Sequence, residues 1–517
     1  MRVAHLLLMR GRPLFWEPVV DARWHHLWAG LVARGNPLAY APFFRAPLYP
    51  WTLGGVYAAT GQSVVAGAAL SAVLAAAAVA VLHRAALRVV GYRGAAAACA
   101  AVWAVWGTDV LISTSLLIAP LYILLLLGAF HAAETGRRGA WALLGLAAAA
   151  RPTALLALPA MARRARPGVL AAALLIAPIF VVWAANALSG DPLTVLSGQG
   201  GVNLWIGNGP EADGITAFAP VAAPANTPPD DGLPYHDNVQ TAARAGFEAG
   251  GGSADAPVSQ VSSWWAVRTV RAVAEDPVRW IGLEARKLLF ILSPVEVPGN
   301  YNPYYYRRLS PVMAVLLWPP PMSGPVLLLW LLVPGALLVT LRGNAPKPAL
   351  RALAWAGLLA LGVLAFFVTA RLRLPMVPFL LLWAVACVRR APRLSAMLAP
   401  AGLAAGLLLS AATAGDARSA GVNMAFYDGL AHWRAGRPEE SRALFLRAVE
   451  HASEAGYDVN RTEAMYNLGV IALRQGRGEE AASWWRAVLQ RQPGHTGAAR
   501  GLGALEAAGG GGVDPYR

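Results

Sequence analysis

The residues able to do chemistry cluster near the start of the chain. Between Trp16 and Trp51 stand a carboxylate, Asp21, two adjacent histidines, His25 and His26, and Arg45, set among Trp24, Trp28, Phe43, Phe44 and Tyr49. Three further arginines, Arg151, Arg371 and Arg373, sit within or beside apolar segments. A guanidinium offers a planar fork of donors that fits two phosphate oxygens at once, so this set suits a phosphate or pyrophosphate. A carboxylate beside it can take a proton from an incoming hydroxyl or amine. Asp21 is the first candidate for that role, and Asp109 and Glu296 are accessory carboxylates. A phosphate leaving group is a weak base, so it needs charge stabilisation more than protonation.

Each of these residues also has a plain structural reading. Asp21 could cap a helix or pair with Arg23. Arg45 and Arg373 could anchor at a lipid interface, with their stems buried and their heads in water. Arg151 is harder to dismiss, because an arginine deep in an apolar segment is costly. His25 and His26 are adjacent and face different ways on a helix, which favours polar packing over metal binding, with His26 kept as an accessory candidate. Glu296 could pair with Arg307 or Arg308. The Trp and Tyr clusters fit an interfacial belt.

Elements must then carry these residues to one place. The chain has 517 residues, 57% apolar and 14% charged, which indicates a polytopic membrane protein. The net charge of +15 resides in short basic runs between apolar segments, such as Arg163, Arg164 and Arg166 or Arg389, Arg390 and Arg393. That pattern belongs to cytoplasmic loops beside anionic lipid, and it argues against a nucleic-acid partner. Cys99 and Cys387 both lie in apolar segments and imply neither a disulfide framework nor a thiolate metal site.

The predicted apolar segments are 63–82, 95–107, 110–131, 140–162, 168–188, 324–341, 351–369, 375–388 and 396–414. The run Val3 to Met9 falls short of the roughly 20 residues that cross a bilayer. With the basic runs inside, the loops 13–62 and 189–322 face outward. Asp109 then lies beside the outer face, and Arg371 and Arg373 face outward too. A single span over 140–162 would bury Arg151 at mid-membrane, so two half-spans meeting at Arg151 and Pro152 are expected, since proline disfavours helical geometry in the residue before it. Residues 217–235, rich in Pro and Ala, read as irregular. Helical periodicity returns from Ser259 to Leu292.

After residue 415 the chain turns polar and helical. Gly429 and Gly436 are echoed by Gly469 and Gly476, and Phe445 with Ala448 by Trp485 with Val488, before Pro493 closes the second unit. This resembles two tetratricopeptide repeats, with Thr496 to Ala508 as a capping helix. The expected domains are 1–414 in the membrane, 415–508 as an α-solenoid able to bind a protein partner, and 509–517 as a disordered tail.

Val20, Asp21, Trp24, His26 and Trp28, followed by Phe44, Arg45, Ala46, Pro47, Tyr49 and Pro50, resemble the first external loop of bacterial family 39-type glycosyltransferases. These belong to the GT-C superfamily, with the protein O-mannosyltransferases and the aminoarabinose transferases. Further matches are Ala150 to Thr153, Ile206 to Gly209 with Asp213 and Gly214, Glu296 to Asn300, and Arg371 to Pro375; the likeness covers roughly residues 13 to 390. The resemblance implies an all-α GT-C fold in which Asp21 is the catalytic carboxylate and Arg45 contacts the donor phosphate. Arg151, Arg371 and Arg373 match motif arginines. Three departures stand out: the resemblance calls for a transmembrane helix ahead of the loop, His25 occupies an expected tyrosine position, and no acidic residue matches around Ile112 to Pro120, leaving Asp109 as a substitute.

The expected function is therefore transfer of a sugar from a polyprenyl-phosphate donor to a protein or lipid acceptor, at the outer face of a bacterial cytoplasmic membrane. No cofactor is called for; a divalent metal is compatible, though no ligand spacing demands one. The alternatives are an O-antigen ligase or polymerase, working through basic residues of the 189–322 loop, and a non-catalytic membrane scaffold that presents the repeats.

Overall fold

Apolar runs broken by glycine, proline and short basic turns fold here as helices, and no strand forms among the described residues. The computed structural model describes residues 1–216, 239–318, 324–419, 423–451 and 458–507. The Pro- and Ala-rich segment 217–235 and the tail 509–517 lie outside the described residues.

The chain opens with α1 (Arg2–Met9), α2 (Pro13–Trp16), α3 (Asp21–Ala33) and α4 (Leu48–Thr60). The bundle follows as α5 (Val64–Val90), α6 (Arg93–Ala104), α7 (Gly107–Ile112), α8 (Ala119–Glu134) and α9 (Gly139–Ala150). After a 3-10 turn at Pro152–Ala157 come α10 (Leu158–Ala162) and α11 (Val169–Leu188). The second loop holds α12 (Gly200–Asn208), α13 (Val239–Ala249), α14 (Val258–Glu275), α15 (Pro277–Leu292), α16 (Pro303–Leu309) and α17 (Pro311–Leu316). The bundle resumes with α18 (Gly324–Trp330), α19 (Val333–Leu341), α20 (Lys347–Leu364), α21 (Ala370–Arg373), α22 (Val377–Val388) and α23 (Pro392–Ser419).

Among the described residues, five stretches are long and apolar enough to cross a membrane: α5, α11, α20, Ala370–Val388 and Pro392–Asp416. Several expected boundaries move. The first span does not stop at residue 82, because His83, Arg84 and Arg88 extend α5 to a left-handed cap at Gly91. The expected 95–107 span is α6, only 12 residues long. The expected 110–131 span is two helices, α7 and α8, separated by a turn ahead of Pro120. The 140–162 segment breaks where Pro152 predicts: Arg151 is extended at φ −155°, between α9 and the 3-10 turn.

The helices run between two ends. Arg389 at the close of α22 donates to the Val90 carbonyl at the close of α5, at 2.9 Å. Glu134 at the close of α8 pairs with Arg351 near the start of α20. Midway, Phe130, Trp355 and Phe379 knit α8, α20 and α22 together, with ring centroids 5.4 to 5.6 Å apart. The opposite end carries the loops and Asp21.

The C-terminal region is α24 (Met424–Arg434), α25 (Pro438–His451), α26 (Asp458–Arg474), α27 (Gly478–Arg491) and α28 (Thr496–Ala507). The repeated glycines mark where the paired helices touch. A Cβ at Gly429 would come within 2.9 Å of the Phe445 ring, and one at Gly469 within 2.3 Å of Trp485. Small residues facing aromatic ones let the helices of each hairpin close on each other. The repeats begin at Met424, not 415, because α23 runs on to Ser419. They dock at the Asp21 end: Phe15 and Val19 share a core with Phe426 and Tyr427, Arg434 pairs with Glu17 at 3.0 Å, and the Tyr305 hydroxyl donates to Asp428 at 2.6 Å.

Candidate functional site

Asp21 opens α3 and is held in place from three sides. Behind it, the His25 ring nitrogen Nδ1 lies 2.8 Å from the Leu116 carbonyl, tying α3 to the turn before α8. Ahead of it, Val20 has φ +52°, a left-handed conformation that a β-branched side chain rarely adopts. In front, Arg45 and Arg371 each donate to a different carboxylate oxygen of Asp21. The two arginines come from positions 326 residues apart, so the pairing exists only in the folded chain.

Backbone contacts fix each arginine. The amides of Gly198 and Gln199 donate to the carbonyls of Phe43 and Phe44 at 3.0 Å, and the Phe43 amide donates to Asn186 Oδ1 at 2.7 Å. This bonding lays the Arg45 segment against the start of the second loop. The Val368 amide donates to the Gly214 carbonyl and the Ala370 amide to the Val297 carbonyl, both at 2.8 Å, which fixes the entry to α21 and thus Arg371.

A cavity of about 270 Å³ lies over this triad. Asp21, His25, Arg45, Arg151 and Arg371 all line it. Arg151 reaches it because of the break at Pro152. Its guanidinium stacks over the Tyr122 ring at 5.3 Å and donates no hydrogen bond to any described residue. Its lining includes the apolar residues Leu359, Val363, Phe366 and Phe367 and the polar residues Ser197, Gln199, Asn203 and Asn300. Asn300 is buried, and its amide nitrogen has no partner among the described residues. The site thus offers one carboxylate, three guanidiniums and a spare amide donor to whatever enters.

The electrostatics follow from burial and charge. Burial alone pushes the Asp21 carboxyl up, but the guanidiniums of Arg45 and Arg371 outweigh it and hold the group well below the usual carboxylate range. Burial lowers His25 to about 4, so its imidazole is neutral at pH 7.

Four of the expected residues do not line the cavity. Arg373 is buried and donates to the carbonyls of Phe290, Ser293 and Val295 and to Glu296 Oε2, the last at 2.9 Å. It staples the chain after α15 and offers nothing to a ligand. The expected grouping of Arg373 with Arg45, Arg151 and Arg371 is corrected on geometry: in the helical turn of α21, residues two apart point in nearly opposite directions. Glu296 is the partner of Arg373, not of Arg307 or Arg308. Asp109 is buried against Arg2, a residue of α1. His26 is bonded to the Tyr57 hydroxyl at 2.7 Å, and it is the neighbouring His25 that lines the cavity.

Asn300, Asn203, Gln199 and Tyr122 were not singled out by sequence reasoning. Asn300 closes the run Glu296 to Asn300, which is the available signal; Asn203 lies just ahead of the run Ile206 to Gly209, and nothing in the local sequence marks Tyr122 or Gln199. Among the described residues, no three His, Cys, Asp or Glu side chains gather as a metal site. Cys99 and Cys387 are free and buried.

Comparison with known proteins bears on the C-terminal region. A tetratricopeptide-repeat family model matches residues 428–496. This region carries tetratricopeptide repeats. No curated protein and no solved structure matches the chain. The repeat match covers both helical hairpins, α24 with α25 and α26 with α27, and α28 caps the second by laying Gly501 against Trp485.

Proposed function

We propose that the chain is a membrane glycosyltransferase of GT-C type that moves a sugar from a polyprenyl-phosphate donor to an acceptor hydroxyl or amine. The observation that carries this reading is the single cavity that joins Asp21 to Arg45, Arg151 and Arg371. In the proposed reaction the acceptor attacks the anomeric carbon and forms the new glycosidic bond. The bond from that carbon to the donor's phosphate oxygen breaks, and its electron pair leaves with polyprenyl phosphate. The acceptor proton passes to Asp21, and attack opposite the leaving group inverts the anomeric centre.

The ground-state pairing sets a constraint on this scheme. A carboxylate clamped by two guanidiniums is a poor base. A donor phosphate entering the cavity competes for the same guanidiniums, and Arg151 brings a third that no carboxylate occupies. The Asp21 carboxyl then rises toward its ordinary value as the arginines turn to phosphate, so donor binding itself activates the base. The apolar lining residues on and just after α20 suit the first isoprene units, and the polar lining residues suit the acceptor. On the proposed topology this end of the bundle faces outward.

The test replaces Asp21 with Asn in the full chain and measures transfer from a lipid-linked sugar. The expected loss is about 10²- to 10⁴-fold, the usual range for general acid–base catalysis. Turnover close to that of the parent would remove Asp21 from the mechanism. The pH dependence adds a second check. In the free enzyme the depressed Asp21 keeps kcat/KM level down through the ordinary carboxylate range, whereas the acid limb of kcat lies at higher pH, because bound donor relaxes the clamp. Coincident limbs would contradict activation by the donor.

A further inference from the structure

A second cavity, of about 560 Å³, opens at the end of the bundle opposite Asp21. Arg84 and Arg88 of α5, His131 and Glu134 of α8, Arg164 after α10, and Arg351 of α20 line it. Along α20, Arg351 and the Asp21-cavity residue Val363 are 12 positions apart, which separates the two cavities by about 18 Å of helix. They are distinct sites.

The charge here is unbalanced. Glu134 is buried and held by Arg351 in a two-point pair at 2.5 and 2.6 Å, which fixes the cavity floor. Arg84 and Arg88 are exposed and make no hydrogen bond or ion pair with a described residue. Among the described residues Arg164 reaches only the Glu134 carbonyl, at 3.5 Å. One carboxylate therefore faces four guanidiniums, an excess of three positive charges. Arg84 and Arg88 are four apart on α5 and share a face, so they present two forks to one ligand. The His131 Nδ1 atom, buried at the same cavity, has no partner among the described residues.

We infer that this cavity binds the phosphate groups of an anionic phospholipid. Guanidinium forks paired on one face match phosphate oxygens, and the excess charge fits two phosphates better than one. A lipid is favoured over a free phosphate because the cavity adjoins apolar surface: Leu87, which lines it, and Leu350 are 38% and 40% exposed. Acyl chains can run down that surface between α5 and α20 while the headgroup stays among the arginines, as basic pockets at the ends of spanning helices hold lipid headgroups. The ligand would also bridge three segments, α5, the turn after α10 and α20, which meet here with no other shared ion pair among the described residues.

The test uses the full chain, delipidated in neutral detergent, with bound lipid counted by native mass spectrometry. Diphosphatidylglycerol is competed against phosphatidylcholine, and sodium phosphate is run as a separate arm. Strong preference for diphosphatidylglycerol is expected, along with a higher unfolding temperature in its presence. The double variant Arg84→Gln/Arg88→Gln should lose about 30-fold of that preference. Arg164→Gln, which removes charge from a different segment, should lose about 5-fold and keeps the test open if the double variant fails to fold. Preference unchanged in folded variants would overturn the site. Protection by millimolar phosphate equal to that by lipid would overturn the lipid as its source. Asp21→Asn should leave lipid preference untouched, so failure here and failure of the transferase reading are separable.

Discussion

Two carboxylates at the same end of the bundle, Asp21 and Glu296, both pair with arginines of α21, and they differ in what remains to be bonded. Arg373 spends its donors on three carbonyls and Glu296, and every partner lies within the protein. Arg371 shares Asp21 with Arg45 beside an open cavity, and Arg151 stands nearby with no carboxylate of its own. The first cluster is closed and the second is open. Ion pairing alone therefore does not separate the two clusters; unused hydrogen-bonding capacity facing a cavity does.

The largest effect is expected at the closed cluster. Arg373→Ala leaves Glu296 as an uncompensated buried charge and should cost about 3–5 kcal/mol, read as loss of monodisperse protein on size exclusion. An Arg373→Ala protein as stable as the parent would dissolve the contrast between the clusters. Next comes Arg151→Met, which keeps the stem over Tyr122 and removes the charge. On the proposed transferase reading it should raise the KM for the lipid-linked sugar about 10- to 100-fold with little change in unfolding temperature, since a charged hydrogen bond contributes about 1.5–3 kcal/mol. Equal effects on stability and KM would make Arg151 structural, like Arg373.

Smaller effects sharpen the comparison. Val20→Gly relieves a left-handed β-branched residue and should stabilise the fold by about 1 kcal/mol, while the loosened approach to Asp21 lowers kcat. A gain in both would show that the strain serves no purpose at the site. Glu17→Gln breaks a partly exposed pair with Arg434, so the effect on stability should be below about 1 kcal/mol. A fall in kcat with that variant, at unchanged unfolding temperature, would tie the repeats to the Asp21 loop, four residues further along the chain.

The Asp21 pairing also has a stability consequence with a definite sign. Its folded-state carboxyl lies below its ordinary value, so the pair contributes stability above the unfolded value of about 3.9, and that contribution is lost as pH falls through the folded value. Asp21→Asn should therefore lower the neutral plateau of an unfolding-temperature profile and flatten its acid limb, because the contribution that is lost on acidification is then missing at every pH.

The sequence by itself determined the elements. Apolar length gives the helices long enough to cross a membrane, Pro152 dictates the break at Arg151, and the small residues Gly429 and Gly469, spaced to face Phe445 and Trp485, dictate the repeat hairpins, because each depends on local sterics or on hydrophobic period. The boundaries that shifted did so for local reasons too: charged residues continue α5 past residue 82, since arginine is a good helix former wherever it can reach water. Only the tertiary structure decided which charges meet. Arg371 and Arg373 would share a face in an extended loop and separate in a helical turn, and the hydrogen bonds of Val368 and Ala370 to Gly214 and Val297 lead the chain into that turn. Pairings such as Asp21 with Arg371, or Glu134 with Arg351, join positions hundreds of residues apart, and no local rule encodes a contact made by the packing of the whole bundle.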